Sequence, residues 1–126
     1  MNNYQGSIIE ESLENKEVLE KVKIISTKIE PVTDEHKTPW ISQWTLHTVE
    51  LPADAAQAIS EEISYSLDKK HAWYADFKND LSHYIIFRDK VFFIHRKSAS
   101  QYAEAKAHGL SLGIPEYQVD FQPIDK

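Results

Sequence analysis

The sequence predicts an α+β domain. Its antiparallel sheet has about five strands, in the order β-β-α-β-β-β-α, and an ordered C-terminal tail follows. Two observations carry this expectation. The stretch 71–96 (HAWYADFKNDLSHYIIFRDKVFFIHR) holds seven of the chain's fourteen aromatic residues and reads as three short strands in succession. Two amphipathic segments with helix-capping signatures flank it, and strands that run in series, apart from helices, pair antiparallel.

The first sixteen residues are acidic and polar, without a clean period. They read as an N-terminal extension, leaving residues 17–126 as one domain. Val18–Ile29 reads as the first strand, with Val22 and Ile24 on one face and Ile25, Thr27 and Ile29 on the other. Its start also fits a helical turn through Val18, Leu19 and Val22. Pro31–Pro39 is a loop. Trp40–Leu51 is the second strand, pairing with the first as a long hairpin. Trp44 and Leu46 share one face, while Val49 and Leu51 share the other. That change of parity near His47 suggests a bulge.

The first helix follows. Asp54-Ala55-Ala56-Gln57 fits a capping box. Ala56, Ile59, Ile63 and Leu67 form one apolar stripe. The helix should end near Lys69-Lys70, where cations suit the negative end of the helix dipole. In the three strands that come next, a turn at Asn79–Ser82 pairs Lys78 with His83, Phe77 with Tyr84 and Asp76 with Ile85. A two-residue loop at Asp89-Lys90 would pair Phe87 with Phe92 and Tyr84 with His95. One face then carries Trp73, Ala75, Phe77, Tyr84, Ile86, Arg88, Val91, Phe93 and His95. The opposite face carries Tyr74, Asp76, Lys78, His83, Ile85, Phe87, Phe92, Ile94 and Arg96. A second helix opens with the capping box Ser98–Gln101, and Gly109 suits its left-handed C′ position. The tail carries Leu110, Leu112, Ile114, Tyr117, Val119 and Phe121, with an edge strand expected at Tyr117–Phe121.

Both sheet faces are apolar, and two helices can cover one of them. The tail or a second copy of the chain must then cover the other, which points to a homodimer.

Composition narrows the classes. A chain of 126 residues makes one domain that needs no staple. It has no cysteine, which excludes thiol catalysis, cysteine-ligated zinc and iron–sulfur clusters. Three glycines leave no phosphate-binding loop or dinucleotide fingerprint, and no cofactor is expected. No apolar run approaches the ~20 residues of a membrane span, and the acidic start is unlike a signal peptide, so the cytoplasm is the expected location. The net charge is −6, with a mild basic zone at Arg88, Lys90, Arg96 and Lys97. That footprint is too small for nucleic acid.

Three groups of residues could carry chemistry. Tyr74, Asp76, Lys78, His83 and Arg96 fall at one end of one face, where Asp76 and His83 suit acid–base work and the cations suit a small anion. The plainer reading is a set of solvated strand ends with Asp76 paired to a cation. Tyr84 lies opposite His95 with Arg88 nearby, which fits a ligand site or an ordinary buried tyrosine–histidine bond. Asp34, Glu35, His36 and His47 include metal-ligating types but lack a metal-site spacing, so no metal is expected. His71 and His108 flank elements and are expected to be exposed. Trp40, Trp44 and Trp73 could make an aromatic slot for a planar or sugar ligand, or could simply be core and rim of the sheet.

The segments WYADFKND, HYIIFRDKVF and GLSLGIPEYQVDF resemble an uncharacterised family of small bacterial proteins, over about Val22–Phe121. The resemblance implies a bacterial, cytoplasmic, single-domain protein and leaves the first fifteen or so residues outside. It implies no activity, ligand or catalytic residue. No motif fixes a reaction. The chain therefore reads as a non-catalytic homodimeric binding or interaction protein. The alternative is a small enzyme or small-anion binder using Asp76, Lys78, His83 and Arg96.

Overall fold

A computed structural model describes residues 3–32, 42–114 and Val119. The fold is α+β, with a six-stranded antiparallel sheet and two α-helices. The strands are β1 (Tyr4–Ile9), β2 (Lys23–Pro31), β3 (Gln43–Leu51), β4 (Tyr74–Lys78), β5 (Ser82–Phe87) and β6 (Lys90–His95). The helices are α1 (Ala56–Ser66) and α2 (Ala99–Ser111). The sheet order is β2-β3-β1-β4-β5-β6.

The strand missing from the sequence expectation is β1. Residues 1–16 are not an extension outside the domain. Tyr4–Ile9 fills the middle of the sheet, between β3 and β4, and joins the hairpin β2-β3 to the meander β4-β5-β6. Tyr4 and Ile8 point into the core, with Gly6 between them. Gly6 has a steric reason: a Cβ there would stand 1.9 Å from the Asp76 carbonyl oxygen and 2.4 Å from Phe77 Cα. After β1, 3-10 turns at Glu10–Ser12 and Glu17–Lys21 carry Leu13 and Val18 onto the core, so the expected first strand starts later, at Lys23.

The two helices take opposite faces of the sheet. Ala56, Ile59 and Ile63 of α1 pack with Tyr4, Ile8, Val49, Leu51, Phe77 and Ile86 in one cluster. Tyr102 and Ala105 of α2 pack with Ile85, Phe87, Ile94, Ile114 and Val119 in another. This corrects the expectation that both helices cover one face. The two faces predicted for β4, β5 and β6 are the two faces the helices cover. Ile114 and Val119, from the tail, pack beside α2. The expected loop at Pro31–Pro39, the strand at Tyr117–Phe121 and the loop residues Asp34, Glu35 and His36 lie outside the described residues, wholly or in part.

The predicted β4–β5 register holds: Lys78 pairs with His83, Phe77 with Tyr84 and Asp76 with Ile85. The β5–β6 register does not. Phe87 pairs with Lys90, Ile85 with Phe92, Tyr84 with Phe93 and Ser82 with His95. The two-residue loop is Arg88-Asp89, and Asp89 takes a positive φ of 61°. A short Asp tolerates that left-handed conformation better than Lys90 would. Strand β6 thereby slides by two residues, an even step, so each side chain keeps its predicted face.

Three local expectations also change. The register of β3 against β1 runs unbroken through His47, and the bulge lies in β2, between Ile24 and Ser26. Trp44 and Leu46 therefore use one face of a regular strand, while His47, Val49 and Leu51 use the other. Helix α1 has no side-chain cap at Ala55, and it stops at Ser66. The last carbonyls there are met by Arg88, whose Nη1 donates to the Tyr65 and Leu67 oxygens, each at 2.7 Å. Ser98 does cap α2, accepting from the Gln101 amide. Gly109 lies inside α2, where Val119 and Phe87 press against it, and the positive φ falls to Gly113.

Candidate functional site

The face under α2 carries the polar group predicted from the sequence. Asp76 on β4 and His83 on β5 are diagonal neighbours on that face, because Asp76 pairs with Ile85. The His83 Nε2 lies 2.7 Å from Asp76 Oδ2. Its Nδ1 lies 3.0 Å from the Tyr102 hydroxyl. The imidazole is buried, at 5% exposure, and Tyr102 is buried at 3%. Burial pushes the Tyr102 phenol above its usual pKa; Arg96, which bonds to it, opposes this, and the Asp76 carboxylate adds to it.

The proton positions follow. A carboxylate only accepts, so His83 donates to Asp76 from Nε2, and the Tyr102 hydroxyl stands where it can donate to Nδ1. Arg96 donates to the Tyr102 oxygen and, through Nη1, to the Asn79 carbonyl at 2.7 Å. The chain Arg96, Tyr102, His83, Asp76 runs in one direction and satisfies both imidazole nitrogens. The Asp76 end opens outward. Its side chain is 25% exposed, and among the described residues His83 is the carboxylate's only hydrogen-bond partner.

Asp76 opens into a cleft of about 140 Å³. Ile9, Trp44, Leu46, Trp73 and Tyr74 wall it, with Ser7 beside Asp76 on β1. Trp44 and Trp73 meet edge to face at 6.1 Å. The aromatic slot expected from three tryptophans thus forms around two of them, and Trp40 lies outside the described residues. Asp76 is the one charged residue among the described residues that line this cleft.

Lys78 and Arg96 belong to a different depression at the end of the same face. It is open and polar, about 530 Å³, with Asn3, Gln5 and Glu50 on one side and Lys78, Asp80 and Arg96 on the other. The predicted five-residue cluster is therefore two places. Tyr74 and Asp76 line the cleft, Lys78 and Arg96 line the depression, and the buried His83–Tyr102 pair joins them.

The second predicted group does not come together. His95 pairs with Ser82, not with Tyr84, and is exposed. Tyr84 sits in the core beside Phe77 and Phe93 and donates to Gln57 Oε1 at 3.3 Å. Arg88 caps α1. In the third group, His47 bonds Glu10 at 2.8 Å and Thr27 at 2.9 Å, tying β3 to the turn after β1 and to β2. Among the described residues no three acidic or imidazole side chains come close enough to hold a metal ion. His71 is partly covered and bonded to Asp68, and His108 packs edge-on against Phe87; neither is simply exposed.

Tyr102 is the member that the sequence reading passed over. Its signal was available. Ser98 fixes the start of α2, and Tyr102, Ala105 and Gly109 then form the stripe that faces the sheet. No family model, curated protein or solved structure matches this chain. The resemblance to a family of small bacterial proteins has no such match behind it. No helix among the described residues is long and apolar enough to cross a membrane.

Proposed function

We propose that this chain is a non-catalytic binding protein of the bacterial cytoplasm that holds a small molecule in the cleft above Asp76. One observation carries the reading. The Asp76 carboxylate is fixed from behind by His83 at 2.7 Å and faces an aromatic-walled cleft. Such a site, mostly apolar with one placed polar group, has the general form of a ligand pocket. The non-catalytic part rests on His83. Both its ring nitrogens are bonded within the fold and the ring is buried, so it holds a carboxylate rather than trading protons with a substrate. Native mass spectrometry on protein purified without affinity resin tests the proposal. A discrete added mass, lost in Asp76→Ala, is the expected result; bare protein that stays bare across a panel of small amines, alcohols and acids would sink it.

A second reading is favoured by the order of the buried chain. A small enzyme would use Asp76 as general base, with His83 and Tyr102 setting its orientation. The anion-binding version of this reading is weaker, because Lys78 and Arg96 share their depression with Glu50 and Asp80. Turnover that vanishes in Asp76→Asn while ligand mass is retained would favour the enzyme.

The homodimer expected from the sequence has lost its first ground, since each helix covers one face. Strand β2 remains as a place for it, with Ile24, Ile25 and Ile29 between 41% and 60% exposed at the sheet edge. Lys23, Lys28, Pro31 and the bulge after Ile24 are features that discourage edge pairing. Self-association is therefore not part of the proposal, and sedimentation at micromolar concentration decides it.

A further inference from the structure

From the charge and shape of the cleft we infer that its ligand is a small protonated amine, an inference that rests on the binding reading above and names its substrate class. Asp76 is the single charged group among the described residues lining the cleft, and it is negative. Among the described residues, the carboxylate spends one oxygen on His83 and has no other hydrogen-bond partner, so its remaining lone pairs can accept from N–H donors. The chain behind it opposes any change that would reduce this preference. Tyr102 and Asp76 take both imidazole nitrogens, so His83 is fixed in place and holds one carboxylate oxygen, leaving the other to the ligand.

The walls suit the same class. Trp44, Trp73 and Tyr74 surround the space, and indole and phenol rings attract cations through their π faces. Leu46 and Ile9 supply apolar contact for a short alkyl group. A space of about 140 Å³ accepts a ligand of roughly benzene's size. An anion would meet Asp76 directly and find no cation among the described residues of the cleft. A neutral alcohol could donate one hydrogen bond but would gain no charge attraction.

Three isosteric probes test this at neutral pH: isobutylamine, isobutanol and isobutyrate. The readout is the indole N–H resonances of Trp44 and Trp73, assigned with Trp44→Phe and Trp73→Phe. The expected result is saturable movement of both signals with isobutylamine, binding at least about tenfold tighter than isobutanol, and no response to isobutyrate. Asp76→Asn keeps an acceptor for His83 and removes the charge, so it should bring the amine down to the alcohol's affinity while the fold survives. Equal binding of amine and alcohol would overturn the amine class and leave the cleft as a binding site. Tightest binding of isobutyrate would overturn it and show that the cleft takes an anion. If no probe moves either indole signal, both the amine class and the cleft reading fall.

Discussion

His83 holds Asp76 from inside the protein: the imidazole Nε2 lies 2.7 Å from the carboxylate, yet the ring is only 5% exposed while the carboxylate reaches solvent. This inverts the usual order of a catalytic pair, in which the carboxylate is buried and orients an accessible imidazole. Here the accessible group is the acid, and the histidine is its support. The third member, Tyr102, comes from a different layer of the fold, so the polar chain also ties α2 to the sheet.

That tie should be measurable as coupling. Tyr102→Phe removes the donor to His83 and should cost about 1–2 kcal/mol. His83→Ala leaves the Tyr102 hydroxyl without its acceptor and a void under α2, and should cost about 2–4 kcal/mol. The double variant should cost less than the sum, because the two residues form one network. Urea unfolding of the four proteins checks this. Strict additivity would mean that the 3.0 Å contact contributes nothing to stability.

The strand β1 carries a prediction of its own. Gly6→Ala drives a methyl group into the backbone of β4, with 1.9 Å to the Asp76 oxygen before any relaxation. It should cost about 3 kcal/mol or more, and part of that cost is a displaced Asp76. Ile8→Ala removes a fully buried side chain from the core and should cost about 2–5 kcal/mol. Denaturant midpoints read both. If either variant is as stable as the parent, β1 is not a working part of the sheet.

Most of the fold was legible because its signals were local and periodic. The stripe Ala56, Ile59, Ile63 and Leu67 announced α1, and alternation with turn residues set the β4–β5 register. What was missed was non-local. Tyr4–Ile9 has two large core side chains in six residues, too few to reveal a strand, because its neighbours β3 and β4 supply most of the apolar surface around it. The assignment of helices to faces depends on chain path, which no short window contains. The site was legible in one half. Asp76 and His83 fell on one face from register alone, but the cleft needs Ile9 from β1 and Trp44 from β3, whose places were not known.

Arg88 offers a test of a role the sequence misassigned. It lies at the hairpin loop and donates to two carbonyls at the end of α1, a helix with no basic residue in its last turn. Arg88→Ala should destabilise by about 1–2 kcal/mol through lost charge-assisted bonds, and Arg88→Lys should recover only part of this, since the lysine ammonium ends a shorter side chain than Nη1 and is more strongly hydrated. Ligand affinity at the Asp76 cleft should be unchanged in both. A loss of binding without a loss of stability would place Arg88 in the site instead.

Stability should fall on acidification in two separate windows. Burial against the sheet, reinforced by Lys90, holds the His108 pKa below its ordinary 6.5. The unfolded chain then binds a proton at His108 before the folded one does, so stability is full above pH 6.5 and declines as pH drops below it. His108→Phe keeps an aromatic ring against Phe87 and should flatten this first decline. For Glu11, burial acts to raise the carboxyl, but the hydrogen bonds from the Thr45 amide and hydroxyl outweigh it and bring the pKa below 4.5. Its contribution is present above pH 4.5 and is lost as pH falls through the lower folded value. Glu11→Gln should be less stable than the parent near neutral pH, and the difference should shrink in acid. Urea midpoints across the two windows test both. A His108→Phe profile as steep as the parent's between neutral pH and pH 5 would show that another group drives the first decline.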